Sequence, residues 1–515
     1  MFSNDIKLIV FISLINMCGI LCMFGNHLPL VVPRDTLKHR GPDETRTHKV
    51  GKCYMEFTRL AINDLSSEGS QPFLDGEKVL MCNGEIYNFR DFDKFSKNDC
   101  AFLLKMIDDI GIFETSKKLR GDFVIVYTDG KSLKVSRDHI GVRPLYYTLY
   151  DGGIAFASEM KGLLHLGTPI GIFPPGHVYN SENDLMTCYA PLYWDFPKVP
   201  AEVNLGQIMQ ESVDLRVGNS DREVAFLLSG GVDSSIVAAL GGKNINTFSI
   251  GMPGSPDAVA AATMARHIGA NHTNVPFDAQ MGISALRDVI KSIESYDTTT
   301  VRASVPMWLL SQYISQNTPF KVILSGEGSD ELFAGYKYFQ NAPSTEDMFS
   351  EIRRRVMLLH QFDVLRADRC TAAHGLELRV PFLDKEFVKA AMTMDQSLKL
   401  PTGELIEKCV LRSEFQGKVP YNILWRPKDA FSDAVGYSWI DEVKAYAEKE
   451  VSDEEFEDIK LRAKNHNVPL TKEEALYRKI FWEFFGFMHD TVITEMWRPK
   501  WTNVTEPSAR YIVKV

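Results

Sequence analysis

Apolar and polar positions follow two different rhythms along this chain. Up to about residue 160 the apolar runs are short, and Gly or Asp breaks them: 78–82, 122–128, 132–136, 145–150 and 154–157. Short runs parted by turn residues predict the strands of an antiparallel meander. Past residue 220 the rhythm lengthens. Strands predicted at 225–228, 245–250 and 272–277 are each followed by a helical pattern, at 234–240, 258–268 and 283–295. A helix over 306–315, opened by Pro306, precedes a strand at 321–324. Alternating strands and helices predict a parallel, doubly wound sheet. Between the two rhythms the composition shifts to Pro and aromatics, at 174–176 and 191–200, which marks a domain boundary. The expected divisions are an extension over 1–16, domains over 17–195 and 200–490, and a tail over 491–515.

Composition narrows the class. A chain of 515 residues is long enough for two or three domains. Its 45% hydrophobic and 24% charged residues are those of an ordinary globular protein. A net charge of −10 argues against a general nucleic-acid binder. The eight cysteines form no CxxC pair and no Cys/His ligand spacing, which suits a reducing, cytoplasmic compartment without a zinc site. Residues 6–15 are almost wholly apolar, but a membrane span needs about 20 such residues, so no stable insertion is expected.

The longer rhythm carries a phosphate motif. The apolar run 225–228 ends in Ser229-Gly230-Gly231-Val232-Asp233-Ser234, ahead of a helical pattern. Glycines let backbone N–H groups converge at a helix N-terminus, where phosphate oxygens bind. A Walker loop would close with Lys; here Asp233 stands ready to hold Mg²⁺ against a pyrophosphate. A second turn, Ser325-Gly326-Glu327-Gly328-Ser329-Asp330-Glu331, follows the predicted strand 321–324. Its crowded carboxylates repel one another unless a metal or another cation sits among them. In a parallel sheet both turns face one crevice at the strands' carboxyl ends. Asp233 and Asp330 are then the Mg²⁺ candidates, and Glu327 the group that positions or deprotonates an incoming amine.

The shorter rhythm opens on Met17-Cys18-Gly19-Ile20. If processing removes Met17 and everything before it, the α-amine of Cys18 becomes a base beside its own thiol. His39-Arg40-Gly41-Pro42-Asp43 is a polar turn, and Arg59 closes a strand with a guanidinium suited to a carboxylate. An Asn83 amide beside a Gly84 N–H suits an oxyanion hole, and Asp99 precedes an amphipathic helix. His139 is given no chemistry.

These motifs resemble the class II glutamine amidotransferase domain. The resemblance implies that Cys18 attacks the glutamine carboxamide and that Asn83 and Gly84 hold the oxyanion. Arg59 would bind the substrate carboxylate, Glu85 and Asp99 its α-amino end, with Leu60, Ala61, Ile62 and Asn63 lining the site. Two departures stand out: a short segment between Cys18 and His39, and Lys97-Asn98 where the family tends to have Gly-Ser.

From Met17 to about Gly486 the chain resembles glutamine-dependent asparagine synthetases. Asn83-Gly84-Glu85-Ile86-Tyr87-Asn88, the two Gly/Ser turns, and Tyr296-Asp297-Thr298-Thr299-Thr300-Val301-Arg302-Ala303-Ser304 carry this most specifically. So do the run from Gly375 to Asp384 and the run from Phe431 to Ile440. The resemblance implies an α+β N-terminal nucleophile (αββα) glutaminase domain, followed by an α/β doubly wound parallel-sheet synthetase domain of the N-type ATP pyrophosphatase kind. Its implied chemistry joins ATP, L-aspartate and L-glutamine through β-aspartyl-AMP, with Mg²⁺ and internal transfer of ammonia. Leu227, Leu228, Ile250, Ser325 and Gly326 would lie on the adenine side, with Ser229, Gly230, Gly231, Asp233 and Ser234 on the phosphates. Thr299, Thr300 and Arg302 match a phosphate and intermediate-binding loop; Glu331, Tyr336, Asp363 and Arg366 match an aspartate pocket. Lys428 would neutralise the leaving phosphate charge. A homodimer is an allowed assembly. The alternative is an ammonia-dependent synthetase whose glutaminase half is inactive because Cys18 is not N-terminal.

Overall fold

The computed structural model describes residues 18–29, 32–33, 35–190, 204–252, 254–400, 406–426 and 437–502. In the N-terminal half lie β1 (Gly19–Gly25), β2 (Glu44–Val50), β3 (Cys53–Arg59), β4 (Phe73–Asp75), β5 (Lys78–Ile86) and α1 (Leu103–Lys118). Then come β6 (Gly121–Thr128), β7 (Leu133–Arg137), β8 (Tyr146–Tyr150), β9 (Gly153–Ala157), β10 (Ile170–Ile172), β11 (His177–Asn180) and β12 (Leu185–Cys188). They build two six-stranded sheets, β10-β8-β9-β1-β3-β2 and β12-β11-β7-β6-β5-β4. Ile20, Cys22, Met55 and Phe57 of the first sheet share a core with Met81, Val124, Val126 and Val135 of the second. Leu103, Ile107 and Ile112 of α1 cover the outer face of the second sheet. Leu21 and Met23, on the opposite face of β1, join the core of the C-terminal half instead. Burial on both faces is why β1 reads as a continuous apolar run.

The expected meander is in fact two hairpins in different sheets. β6 pairs with β7 and β8 with β9. Asp138 turns the chain between them: its carboxylate accepts the backbone N–H groups of Ile140, Gly141, Val142 and Arg143 at 2.6–3.1 Å. The sequence pattern does not reveal such a turn, because the strands on either side look alike.

The C-terminal half begins with α2 (Leu205–Gly218). There follow β13 (Val224–Leu227), α3 (Val232–Leu240), β14 (Asn246–Gly251), α4 (Pro256–Ile268), β15 (Asn271–Pro276), α5 (Ala279–Ile293) and α6 (Thr298–Asn317). After β16 (Val322–Leu324) come α7 (Ser329–Leu332), α8 (Thr345–Leu358), α9 (Asp363–Ala372) and β17 (Glu377–Arg379). The sheet is parallel throughout, in the order β15-β14-β13-β16-β17. The chain runs outward from β13 to β15 and returns to β16. The crevice between β13 and β16 is therefore the topological switch point, where ligands of such sheets bind.

One helix starts earlier than its Pro suggests. α6 begins at Thr298, and Pro306 lies inside it. The Asp297 carboxylate accepts from Thr300 N at 2.8 Å and from Thr300 Oγ1 at 2.7 Å, a cap that fixes the start eight residues before the proline.

A buried ionic layer joins the halves. Arg40 reaches Glu159 at 2.7 Å and Asp368 at 3.1 Å. Arg369 pairs with Glu159 and Glu294, and Arg143 with Asp368 and Glu377. Arg216 and Arg120 share Asp384. Charges so deep are tolerated only when paired and hydrogen-bonded, so this layer fixes one docking of the two halves. The segment after residue 490 packs closely as well: Trp497 N donates to Asp297 Oδ1 at 2.6 Å, and its ring lies 5.3 Å from that of Tyr336.

Candidate active sites

Cys18 stands just before β1, half-buried. The Leu60 N–H donates to its Sγ at 3.2 Å, and Arg40 Nε donates to its carbonyl at 2.9 Å. Ser158 Oγ accepts from Ile20 N at 3.0 Å and from Asn83 Nδ2 at 3.3 Å, which brings the Asn83 amide to the start of β1. Asn83 and Gly84 lie within β5 rather than in a turn after it. Gly84 has φ +145, and a Cβ there would sit 1.9 Å from Asp122 O on the neighbouring strand. Burial pushes the Cys18 thiol up to about 12; the Leu60 N–H and Arg143 act the other way, and Glu377 and Glu85 add to the rise. Such a thiol stays protonated at neutral pH, so it needs a base beside it.

The 60–64 segment is pinned from both halves. Ala61 N donates to Asp43 Oδ2 at 2.8 Å, Arg222 Nε to Ala61 O at 3.1 Å, and Asp64 N to Asp221 Oδ2 at 2.9 Å. Arg59 spends its terminal nitrogens on the following loop: Ser66 O at 2.9 Å, Ser70 Oγ at 2.8 Å, and Asp64 O. Asn63 Nδ2 donates to Glu85 Oε2 at 2.5 Å, and Arg379 of β17 lies 2.9 Å from the same oxygen. Asp99 accepts from Ile86 N at 2.8 Å. Burial raises Glu85 well above the carboxylate range, helped by Asp99 and Glu377, and burial also raises Asp99. Arg379 acts the other way on both but does not offset the burial, so the two carboxyls gain from a further positive charge such as an ammonium group.

The second site lies at the switch point. Gly231 caps α3, with Asp233 in its first turn. Ser229 N donates to Ser234 Oγ at 3.2 Å, curling the loop. Gly230 has φ +81, and a Cβ there would meet Ala261 N at 2.6 Å. The loop after β16 closes on this one: Ser329 Oγ donates to Asp233 Oδ1 at 2.7 Å. Leu227 ends β13, and Ile250 stands one residue before the end of β14. Ser325 N donates to Arg379 O at 3.0 Å, so Arg379 touches the first site with its side chain and this loop with its backbone.

The expected cations among the carboxylates belong to the protein. Lys408 Nζ lies 2.6 Å from Asp233 and 2.7 Å from Asp330. Arg366 lies 2.8 Å from Glu327 and 2.9 Å from Asp363. Tyr336 O–H donates to Glu331 and, at 3.3 Å, to Asp363. Burial raises Glu331, with Asp363 and Asp330 adding to the rise. Thus Glu327, Glu331, Tyr336, Asp363 and Arg366 form one connected cluster. Thr299 and Thr300 sit in the first turn of α6 rather than in a loop; Thr299 Oγ1 is buried and has no protein partner. Arg302 differs from expectation. Its Nε and Nη2 lie 2.7 and 2.5 Å from Glu473, so it braces α6 against the C-terminal helix Lys472–Phe485. Lys428 lies outside the described residues, as does the segment before Cys18.

Among the described residues no group of three or more His, Cys, Asp and Glu could hold a metal unaided. Asp233 and Asp330 nevertheless already share one cation, so they suit a Mg²⁺ whose remaining ligands are phosphate oxygens. Sequence reasoning missed Lys408, Ser329 and Arg379. Lys408 carries no motif; Arg379 stands in a quoted run, but only the parallel sheet brings it to both sites.

Fold and sites together define a glutamine amidotransferase joined to a nucleotide-binding parallel sheet. Residues 17–172 match the glutamine amidotransferase domain family, and residues 204–360 and 350–504 match asparagine synthase. The chain is 38% identical to asparagine synthetase (glutamine-hydrolyzing) 1 of Lotus japonicus, over 96% of this chain and 93% of that one. It is 38% identical to asparagine synthetase (glutamine-hydrolyzing) 2 of Arabidopsis thaliana, over 96% and 94%. A probable glutamine-hydrolyzing asparagine synthetase of Acanthamoeba polyphaga mimivirus is 37% identical over 96% and 99%. The chain belongs to the glutamine-hydrolysing asparagine synthetase family.

Proposed function

We propose that this chain converts L-aspartate, L-glutamine, ATP and water into L-asparagine, L-glutamate, AMP and diphosphate. Cys18 Sγ attacks the glutamine carboxamide carbon, the C–N bond breaks, and ammonia leaves; water then hydrolyses the thioester. Asn83 and Gly84 hold the oxyanion. Glu85 and Asp99 bind the α-ammonium, which adds its positive charge to that of Arg379. Arg59 orders the 64–70 loop that closes over the substrate. The base is the α-amine of Cys18, freed when residues 1–17 are removed.

In the crevice an aspartate β-carboxylate oxygen attacks the α-phosphorus of ATP and diphosphate leaves. Ammonia, passed within the protein, attacks the acyl carbon, and AMP departs with the electron pair of the broken C–O bond. Asp233 and Asp330 would hold Mg²⁺, which when bound neutralises phosphate charge. The 229–234 loop cradles the phosphates, Leu227, Leu228, Ile250, Ser325 and Gly326 take the adenine side, and Thr299 Oγ1 is a free donor toward the intermediate. Glu331, Tyr336, Asp363 and Arg366 bind aspartate. Glu327, oriented by Arg366, takes the proton from the attacking ammonia. Lys428 neutralises the departing diphosphate. A cytoplasmic location, suited to eight unpaired thiols, and a homodimeric assembly belong to the same reading.

The observation that supports this most is the meeting of the 229–234 and 325–331 loops at the switch point, in one molecule with a thiol at the head of β1. The test is a product assay with glutamine or ammonium as nitrogen donor. The Cys18→Ala protein should lose glutamine-dependent asparagine formation to background and keep the ammonium-dependent reaction, with AMP as the nucleotide product. ADP as product, or undiminished use of glutamine by Cys18→Ala, would sink the proposal. N-terminal sequencing of active protein from its native host tests the base: glutamine-using enzyme that retains Met1 contradicts it.

A further inference from the structure

Lys408 is fully buried, with its ammonium between one carboxylate from each phosphate-side loop: Asp233 after β13 and Asp330 after β16. Three features hold it there. Its backbone has φ +59, a left-handed conformation that strains a residue with a Cβ. Gly335 clears the space: a Cβ on it would lie 2.1 Å from both Asp330 Oδ1 and Lys408 Cε. Arg412 locks the segment, donating from its backbone N to Lys408 O at 2.9 Å and from Nη2 to Glu407 Oε1 at 2.6 Å. An ion pair serving only stability would need none of this at a ligand crevice, since burying charges roughly cancels their attraction.

We propose that Lys408 is a positioning residue whose ammonium occupies the cation position between Asp233 and Asp330 while nucleotide is absent, so that a divalent ion enters only when it arrives on a triphosphate. The inference rests on the reading of those two carboxylates as the Mg²⁺ ligands. A bare divalent ion must displace a bound ammonium and leave that ammonium buried without a partner. An ion carried by ATP brings phosphate oxygens with it. The ammonium then turns from the carboxylates to a phosphate, and no charge is left uncompensated.

Mn²⁺ titration, read by the electron paramagnetic resonance of the free aquo-ion, tests this on the full chain. The wild-type protein should take up no Mn²⁺ without nucleotide and should take it up with ATP. Lys408→Met should bind Mn²⁺ without ATP at least roughly tenfold more tightly than wild type, because the two facing carboxylates have lost the charge of Lys408. Adding Asp330→Asn should abolish that uptake, and Lys408→Arg should restore the wild-type pattern. Glutamine hydrolysis at Cys18 reports that each variant is folded. Should Lys408→Met fail to fold, Lys408→Gln, which keeps a polar end but no charge, should give the same nucleotide-free uptake. Wild-type uptake as tight without ATP as with it overturns the proposal. So does a folded Lys408→Met, or a folded Lys408→Gln, that behaves as wild type. Wild-type protein that takes up no Mn²⁺ even with ATP overturns the underlying assignment of Asp233 and Asp330.

Discussion

The two sites complete their buried carboxyls in different ways. Around the thiol, Glu85 and Asp99 are buried carboxyls raised out of their ordinary range, and Glu85 shares Arg379 with Glu377. Around the phosphate loops, Asp233 and Asp330 share Lys408, and Glu327 and Asp363 share Arg366. The first pocket holds Arg379 against Glu85 and Glu377, yet burial keeps Glu85 and Asp99 raised, so a ligand ammonium adds to a cation already there. The second holds Lys408 and Arg366 against Asp233, Asp330, Glu327, Asp363 and the raised Glu331, so a polyanion enters it together with a divalent cation. Each site thus has more carboxyls than cations, and what differs is the ligand charge that completes it.

The largest expected effect separates the sites outright. Glu327→Gln should slow asparagine formation by about 10²–10⁴-fold, the usual worth of a positioned proton acceptor. Glutamine hydrolysis should stay within about threefold of wild type, because an interaction made only in one transition state is lost only there. Parallel assays of glutamate and asparagine would show this as glutamine consumed without product. An equal fall in both rates would mean that the crevice and the thiol pocket are a single unit.

How far each site was legible follows the same division. Part of the thiol pocket joins partners near along the chain: Arg59 with Ser66 and Ser70, Asn63 with Glu85, Ile86 with Asp99. Short motifs expose partners at such separations. The parallel sheet was legible too, because β13 to β16 keep a regular alternation with helices. The crevice cations were not. Lys408 lies 175 residues from Asp233, on no motif, and reaches it only because the chain folds back over the switch point. β17 escaped for another reason: a three-residue strand has no period to detect, yet it carries Arg379, whose side chain reaches one site and whose backbone reaches the other. The partner of Arg302 was hidden too, because a guanidinium next to two threonines suits a phosphate as well as it suits the distant Glu473.

A middle-sized effect sharpens the cation-seeking side. Glu85→Gln removes one charge from the thiol pocket and keeps the size and the Asn63 contact. A hydrogen bond to a charged group is worth about 1.5–3 kcal/mol, so the KM for glutamine should rise roughly ten- to hundredfold. Ammonium-dependent synthesis should not change. A glutamine KM within error of wild type would remove Glu85 from the α-ammonium site and weaken the charge-balance comparison at its first term.

The smallest effect is a pH slope. Glu85 and Asp99 have folded-state values above their unfolded ones, with burial as the main cause. Between those values the folded chain binds more protons than the unfolded chain, so stability falls as pH rises through the window that opens near the ordinary carboxylate value of about 4. Glutamine brings an ammonium to the same carboxyls, so it should stabilise more at pH 8 than at pH 5. In melting curves the difference should be a few degrees, given about 2–4 °C per kcal/mol for domains of this size. The double variant Glu85→Gln, Asp99→Asn should flatten the wild-type slope and remove the pH dependence of the glutamine effect. If its slope matched wild type, the raised carboxyls would be compensated elsewhere, and the thiol pocket would no longer be the one completed by an ammonium.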